Sequence, residues 1–383
     1  MTVHRPYPPL RTAVVGTGGI ARGSHLPALG TLAADGETEV VAAVDIDAAS
    51  VRALAAEAGI GYAGTDLDAM LAEVRPDLVV LATPPAVHRQ QCVAALRAGA
   101  WVWCEKPPCP SLADFDAITA AEPGGDSDPY ASIVFQHRFG SGARHVRRLL
   151  ADGAFGRPLV AHCQTTWYRD AAYYAVPWRG RWDTEGGGPA MGHGIHQMDL
   201  LLDLLGPWTE VHGMAARLVH DVQTEDVSTA QVRFAGGAVG TVVNSVLSPD
   251  EVSRIRIDCE RATIELTHLY GYRNADWRIT PAPGVPEDTV AAWRDFGVDE
   301  PSSHLAQLRV LVDDIRHGRR HATSGTSGRR TLEFITALYK SAFTGRTVRA
   351  GEIGPGDPYY PALHGGAPDW APNGQGNIRE DEA

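Results

Sequence analysis

Short apolar runs at 11–15, 39–44, 78–82, 101–104 and 133–135 read as strands. Between the earlier ones, residues 20–34, 48–58 and 87–97 have helical character. Strands alternating with helices at this spacing predict βαβ units and a parallel sheet. The pattern changes after about residue 158. Residues 158–167, 210–219, 227–234, 238–246 and 254–258 read as strands of an antiparallel sheet, with Gly236-Gly237 as the turn between two of them. Helices return at 193–205, 303–317 and 328–344. The expected plan is an N-terminal extension (1–10), a parallel-sheet domain (11–135), a second α+β domain (136–350) and a Pro-, Gly- and acid-rich tail (351–383) wandering over the surface.

A length of 383 residues agrees with two domains rather than one core. Hydrophobic residues at 44% and charged residues at 21% exclude a disordered or fibrous class. A net charge of −12 argues against nucleic acid or an anionic membrane as partner. The five cysteines fit no zinc spacing and are expected to be reduced thiols, as in a cytoplasmic protein. No apolar run reaches the roughly 18 residues of a membrane helix, and the N-terminus lacks the apolar core of a signal peptide.

Gly16-Thr17-Gly18-Gly19-Ile20-Ala21 follows the first strand and opens a helix. Gly16 suits the tight turn, Gly18 lets the backbone approach a pyrophosphate, and the helix N-terminus faces the phosphates. Asp45 ends the second strand, where a carboxylate accepts hydrogen bonds from both ribose hydroxyls. Asp47 lies close by, and no Arg stands at 46–48, so a 2′-phosphate would meet negative charge. The expected cofactor is NAD rather than NADP. Thr83, Pro84 and His88, after the third of these strands, are expected to line the cofactor cleft together with Ile20 and Gly19.

Further along stand Thr83-Pro84-Pro85-Ala86-Val87-His88, Glu105-Lys106-Pro107, Gln136-His137-Arg138-Phe139, Gly186-Gly187-Gly188 and Gly194-Ile195-His196-Gln197-Met198-Asp199. With His25-Leu26-Pro27-Ala28 and the later Ser327-Gly328-Arg329-Arg330, they make a set over about 11–350 that resembles the glucose–fructose oxidoreductase, inositol dehydrogenase and MocA family. The resemblance implies an α/β Rossmann domain with a parallel sheet plus an α+β domain with a large open antiparallel sheet. It implies hydride transfer between NAD and a secondary alcohol or ketone of a sugar or cyclitol, and a homodimer or homotetramer. Two other outcomes stay open: an NAD-retaining lyase or glycosidase working through transient oxidation, and a non-catalytic NAD or sugar sensor.

Alcohol oxidation needs a base for the hydroxyl proton and positive charge at the developing alkoxide. Lys106 suits the second task, with Glu105 to orient it, and both are expected among the cofactor-binding residues; by resemblance, Lys106 touches both substrate oxygen and nicotinamide ribose. His196 suits the first, since an imidazole titrates near working pH. Many members of the family carry Asp four residues before this histidine, whereas this chain has Gly192; the adjacent His193 is expected to fill part of that gap. Asp199 reads equally as a structural partner or as part of the chemistry. His193, His196 and Asp199 share one helical side, yet no further ligand joins them, and no metal is expected. The stretch from Trp167 to Trp182 is rich in aromatics and arginine. Tyr168, Arg179 and Trp182 are substrate candidates, or anchors of a long loop; Gln136 and Arg138 face substrate or nicotinamide, or Arg138 caps the hinge.

Overall fold

Strand and helix alternate along the first part of the chain as β1 (Leu10–Val15), α1 (Leu26–Ala34), β2 (Thr38–Val44), α2 (Ala48–Ala58), β3 (Tyr62–Gly64), α3 (Leu67–Val74), β4 (Leu78–Leu81), α4 (Pro85–Arg97), β5 (Trp101–Cys104), α5 (Leu112–Thr119) and β6 (Ala131–Ile133). There follow α6 (Ser141–Ala151), β7 (Pro158–Tyr168), α7 (Ala171–Tyr174), α8 (Pro189–Gly192), α9 (Ile195–Leu205), β8 (Trp208–Ala216), β9 (Val227–Phe234), β10 (Val239–Ser245), β11 (Leu247–Cys259), β12 (Ala262–His268), β13 (Trp277–Pro281), α10 (Glu287–Arg294), α11 (His304–Arg316), α12 (Gly325–Thr344) and β14 (Val348–Arg349). The structure, a computed structural model, describes residues 7–125 and 127–366. Most of the expected N-terminal extension and the tail beyond residue 366 lie outside the described residues.

Contacts divide the chain into two units. One holds Met1–Cys109, Asp114–Val134 and His304–Arg329; the other holds Pro110–Ala113, Phe135–Ser303 and Arg330–Ala383. In the first unit six parallel strands run in the order β3-β2-β1-β4-β5-β6. The order reverses between β1 and β4, and in such sheets ligands bind at the carboxyl ends of the strands beside that reversal. All four residues of β4 are buried, as a central parallel strand covered on both faces requires. Val14, Leu29, Leu78, Val80, Trp103, Leu308 and Leu311 share one core, so α11, distant in sequence, closes the same layer as α1. Helix α2 begins where the Asp47 carboxylate accepts the N–H groups of Ala49 and Ser50 at 2.9 and 3.2 Å, and it ends at Gly59 with φ +68°.

The second unit is built on eight strands in the order β13-β12-β11-β7-β10-β9-β8-β14. Burial alternates along β9, where Ser228, Ala230, Val232 and Phe234 point inward; α9 packs on β7 and β11, and α8 on β9 and β10. The sheet is not wholly antiparallel: β7 and β10 run parallel, from Val160 opposite Val239 to Thr166 opposite Ser245. Gly236-Gly237 does turn β9 into the antiparallel β10. The expectation of a wandering tail fails over 353–366, where Ile353, Tyr359 and Leu363 are buried. Tyr359 stacks 6.4 Å from Phe343, and Lys340 of α12 holds Glu352 and Asp357 at 2.8 and 2.6 Å.

Candidate active site

The turn after β1 is shaped by close approach. Gly16 has φ +92°, and a Cβ there would lie 2.6 Å from the Ala82 carbonyl oxygen, so both conformation and space demand glycine. At Gly18 and Gly19 a Cβ would meet nothing within 4 Å, which leaves the backbone open to a phosphate at the start of the following helix. That helix begins with one π turn, Ala21–His25, before α1. Asp45 accepts the Thr17 backbone N–H at 2.7 Å, the Thr17 hydroxyl at 2.8 Å and the Asp47 N–H at 2.9 Å. Burial raises the proton affinity of this carboxyl, but the three donors together outweigh it and hold the pKa below the ordinary value. The carboxylate is therefore fixed and ionised at the end of β2. An NAD pyrophosphate and adenosine ribose fit the space and donors these residues offer.

The loops after β4 and β5 are tied together from within. His88 is completely buried, with Nε2 2.7 Å from the Thr83 carbonyl oxygen and Nδ1 3.0 Å from that of Pro107. A side chain so enclosed does not line a cleft, and His88 is corrected to a clamp between loops. Thr83 is half-buried and donates to Gln91 at 2.6 Å, while Pro84 is exposed.

Glu105 is likewise turned inward. One carboxylate oxygen lies 2.9 Å from His25 Nε2 and 3.0 Å from His304 Nε2, and the other accepts the Lys106 N–H at 3.1 Å. Burial favours the neutral acid, but the two imidazoles beside it hold Glu105 well below the usual carboxylate range. Burial pushes His25 down despite Glu105. These three residues bring their ligand-type atoms within 4.8 Å of one another. Ligands about 2 Å from a tetrahedral ion stand about 3.3 Å apart. Separations of 2.9 and 3.0 Å are those of N–H groups donating to one carboxylate oxygen. Glu105 is thus buried and holds the main-chain N–H of Lys106, which is half-buried just past the end of β5.

In the second unit His193 and His196 are buried where α8 gives way to α9. The junction is cramped: a Cβ at Gly194 would collide with the Asn244 side chain on β10. Glu225 holds the start of α8, accepting Gly188 and Ala190 N–H at 2.9 and 3.1 Å and the Tyr339 hydroxyl at 2.8 Å; burial pushes this carboxyl up to about 7. The His196 ring lies 4.9 Å from that of His137 and 5.7 Å from that of Tyr270. His137 is 5.2 Å from His268, whose pKa burial lowers to about 4. Gln197 donates to His268 at 2.6 Å and Gln136 to the Tyr270 hydroxyl at 3.2 Å, so Gln136, 2% exposed, braces this aromatic group.

Several substrate candidates have other work. Arg138 is buried and clasps Asp199 through Nε, at 2.7 Å, and Nη2; Thr331 donates to the same carboxylate at 2.8 Å. Neither Arg138 nor Asp199 is offered to a ligand, and Asp199 is not available as a metal ligand beside His193 and His196. Trp182 packs against Tyr339, Phe343 and His364 and anchors its loop on the C-terminal segment. Tyr168 is half exposed. Arg179 lies 3.9 Å over the Tyr173 ring and reaches both the Tyr173 hydroxyl and Glu185. Tyr173, Glu185, Glu225, His25 and His304 went unread as site residues. Of these only His25 carried a sequence clue, its place in the His25-Leu26-Pro27-Ala28 match.

A family model described as the oxidoreductase family with NAD-binding Rossmann fold matches residues 10–124, and the GFO/IDH/MocA C-terminal domain matches 143–265. The chain belongs to this oxidoreductase family. It is an NAD-binding oxidoreductase whose first unit is the family's Rossmann domain. It is 26% identical over 367 residues to the D-glucoside 3-dehydrogenase of Escherichia coli, covering 89% of this chain and 97% of that protein. It is 28% identical over 355 residues to the D-apiose dehydrogenase of Paraburkholderia graminis, covering 88% of each. Among solved structures, the WlbA dehydrogenase from Bordetella pertussis, in complex with NADH and UDP-GlcNAcA, is similar with a TM-score of 0.79 at 25% identity, over 90% of this chain and 98% of that one.

Proposed function

We propose that this chain is an NAD-dependent dehydrogenase that oxidises a secondary alcohol of a sugar or cyclitol, or reduces the matching ketone. The observation that carries this reading is the mounting of Lys106. It follows a carboxylate pinned by two buried imidazoles, at the carboxyl end of β5 in the parallel sheet. The main chain that carries the ammonium is thereby fixed, and a charge brought to a developing alkoxide from a fixed main chain lowers the reorganisation the reaction needs. Bound NAD supplies the hydride acceptor. His196 takes the hydroxyl proton, with His193 beside it, while Gly16, Gly18, Gly19, Ile20 and Asp45 hold the dinucleotide.

The sugar dehydrogenases among the relatives support this substrate class. The exposed Val160, Val239 and Met214, on one face of the sheet of the second unit, support a homo-oligomer. Five cysteines with no disulfide among the described residues suit a reducing cytoplasm, and among the described residues no helix is long and apolar enough to cross a membrane.

The test is purified protein with NAD against a panel of sugars and cyclitols, read by NADH absorbance and by hydride exchange. Turnover on at least one is expected; absence of both across the panel overturns the reading.

A further inference from the structure

Gly192 stands where the resemblance leads one to expect a carboxylate, and a Cβ built there would lie 3.5 Å from Oε1 of Glu185. The space a side chain at 192 would enter is thus bordered by a carboxylate from seven residues earlier in the chain. Glu185 is 5% exposed. Its Oε2 accepts the Gly180 N–H at 2.6 Å, and Oε1 faces Arg179 Nη1 at 3.4 Å. The Arg179 guanidinium donates to the Tyr173 hydroxyl oxygen and covers the Tyr173 ring. The Tyr173 hydroxyl lies 3.3 Å from His193 Nε2. With the phenol oxygen accepting from Arg179, the phenol hydrogen points to Nε2 when the imidazole carries its proton on Nδ1.

We propose that Glu185 is a positioning residue for this site: it supplies the carboxylate that position 192 lacks and acts on His193 through Arg179 and Tyr173. The proposal rests on the dehydrogenase reading above. The backbone bond to Gly180 needs only an acceptor, which an amide would also provide. A charge is needed only for the guanidinium, and without it Arg179 has no anion to hold it against Tyr173. Burial pushes the Tyr173 phenol up, and Glu185 pushes it further, so it remains a donor at neutral pH. Trp167, with its ring 5.1 Å from that of His193, closes a further side. Charged and titratable groups that face Tyr173 include Glu185, Arg179, Arg169 (5.4 Å from its ring), Tyr174 (ring 5.1 Å away) and Asp170, which accepts the Tyr173 backbone N–H at 3.0 Å; His196 stands three residues from His193 along the chain. A carboxylate at 192 in addition would set two like charges together, which accounts for glycine there in a chain that has Glu185.

The experiment compares wild type with Glu185→Gln, Gly192→Asp and the double variant, all as full chains. Each is assayed for NAD affinity by calorimetry, for kcat and KM on the best sugar of the panel, and by histidine NMR titration without cofactor. Glu185→Gln is expected to keep NAD affinity, lower kcat about tenfold to a hundredfold with a smaller change in KM, and move the His193 midpoint down by about half a pH unit or more. Adding Gly192→Asp to it is expected to restore part of the loss, whereas Gly192→Asp alone lowers kcat. An unchanged kcat and His193 midpoint in Glu185→Gln overturn the proposal, as does a loss that Gly192→Asp does not relieve. If wild type turns over no sugar, the dehydrogenase reading has failed, and the NMR titration still decides whether Glu185 governs His193.

Discussion

Arg138 spreads two of its nitrogens across the carboxylate of Asp199, 61 residues away, in a pair almost wholly removed from solvent. Burial opposes the charge on the guanidinium, but Asp199 more than compensates and raises its proton affinity. Removing one member leaves the other charged and buried. Asp199→Ala is therefore expected to cost about 3–5 kcal/mol in urea unfolding, and the joint replacement Arg138→Met with Asp199→Leu much less. Equal losses in both variants would refute the assignment.

The support beneath Lys106 predicts acid sensitivity. His25 has a lowered folded-state pKa, so below about pH 6.5 the unfolded chain takes up protons that the folded chain refuses. Glu105, held well below its ordinary value, adds stability that is present above about pH 4.5 and lost as pH falls through its folded-state pKa. Both effects make stability fall with pH. Unfolding midpoints are expected to fall less steeply in Glu105→Gln than in wild type between pH 4.5 and pH 3.5, and at least as steeply between pH 6.5 and pH 5, because the variant no longer opposes the lowering of His25.

Asp45 is expected to discriminate between dinucleotides. Asp45→Asn keeps an acceptor for the Asp47 N–H but removes the charge, so NAD affinity should weaken about tenfold, near 1.4 kcal/mol, and the preference over NADP should shrink. Because the carboxyl pKa is lowered, NAD affinity of the wild type should stay flat from pH 8 down to about pH 5. Calorimetric titrations of both cofactors across that range test both statements.

Lys106→Ala and His196→Ala should separate by their pH profiles. Loss of the ammonium is expected to lower kcat about 10²–10³-fold while leaving NAD affinity within a few-fold. Loss of the imidazole should lower kcat and also flatten the acid limb of the kcat profile, where the protonated base is inactive. Variants with unchanged kcat would return both residues to structural roles.

The first unit was the more legible of the two. Helix 48–58 and the strands at 101–104 and 227–234 agree with the structure residue for residue, since each is bounded by a cap, a turn or a sharp change of pattern. Strand β3, three residues ending in Gly64, was missed because it is too short to display a period, and α3 was missed although Leu67, Met70, Leu71 and Val74 recur at helical spacing. Helix α6 was missed although Ala143, Val146 and Leu149 recur on one face, and β12 and β13 were not read at all.

What the sequence determined by itself is local. The turn at Gly16, the carboxylate at Asp45 and the lysine after β5 each depend on a strand and the few residues beyond it. What only the tertiary structure decided is partnership. His304 reaches Glu105 across 199 residues, Arg138 turns inward to Asp199, and Glu185 comes to rest beside Gly192. A buried charge or imidazole must find its partner wherever the folded chain brings one, and periodicity along the sequence carries no information about that meeting.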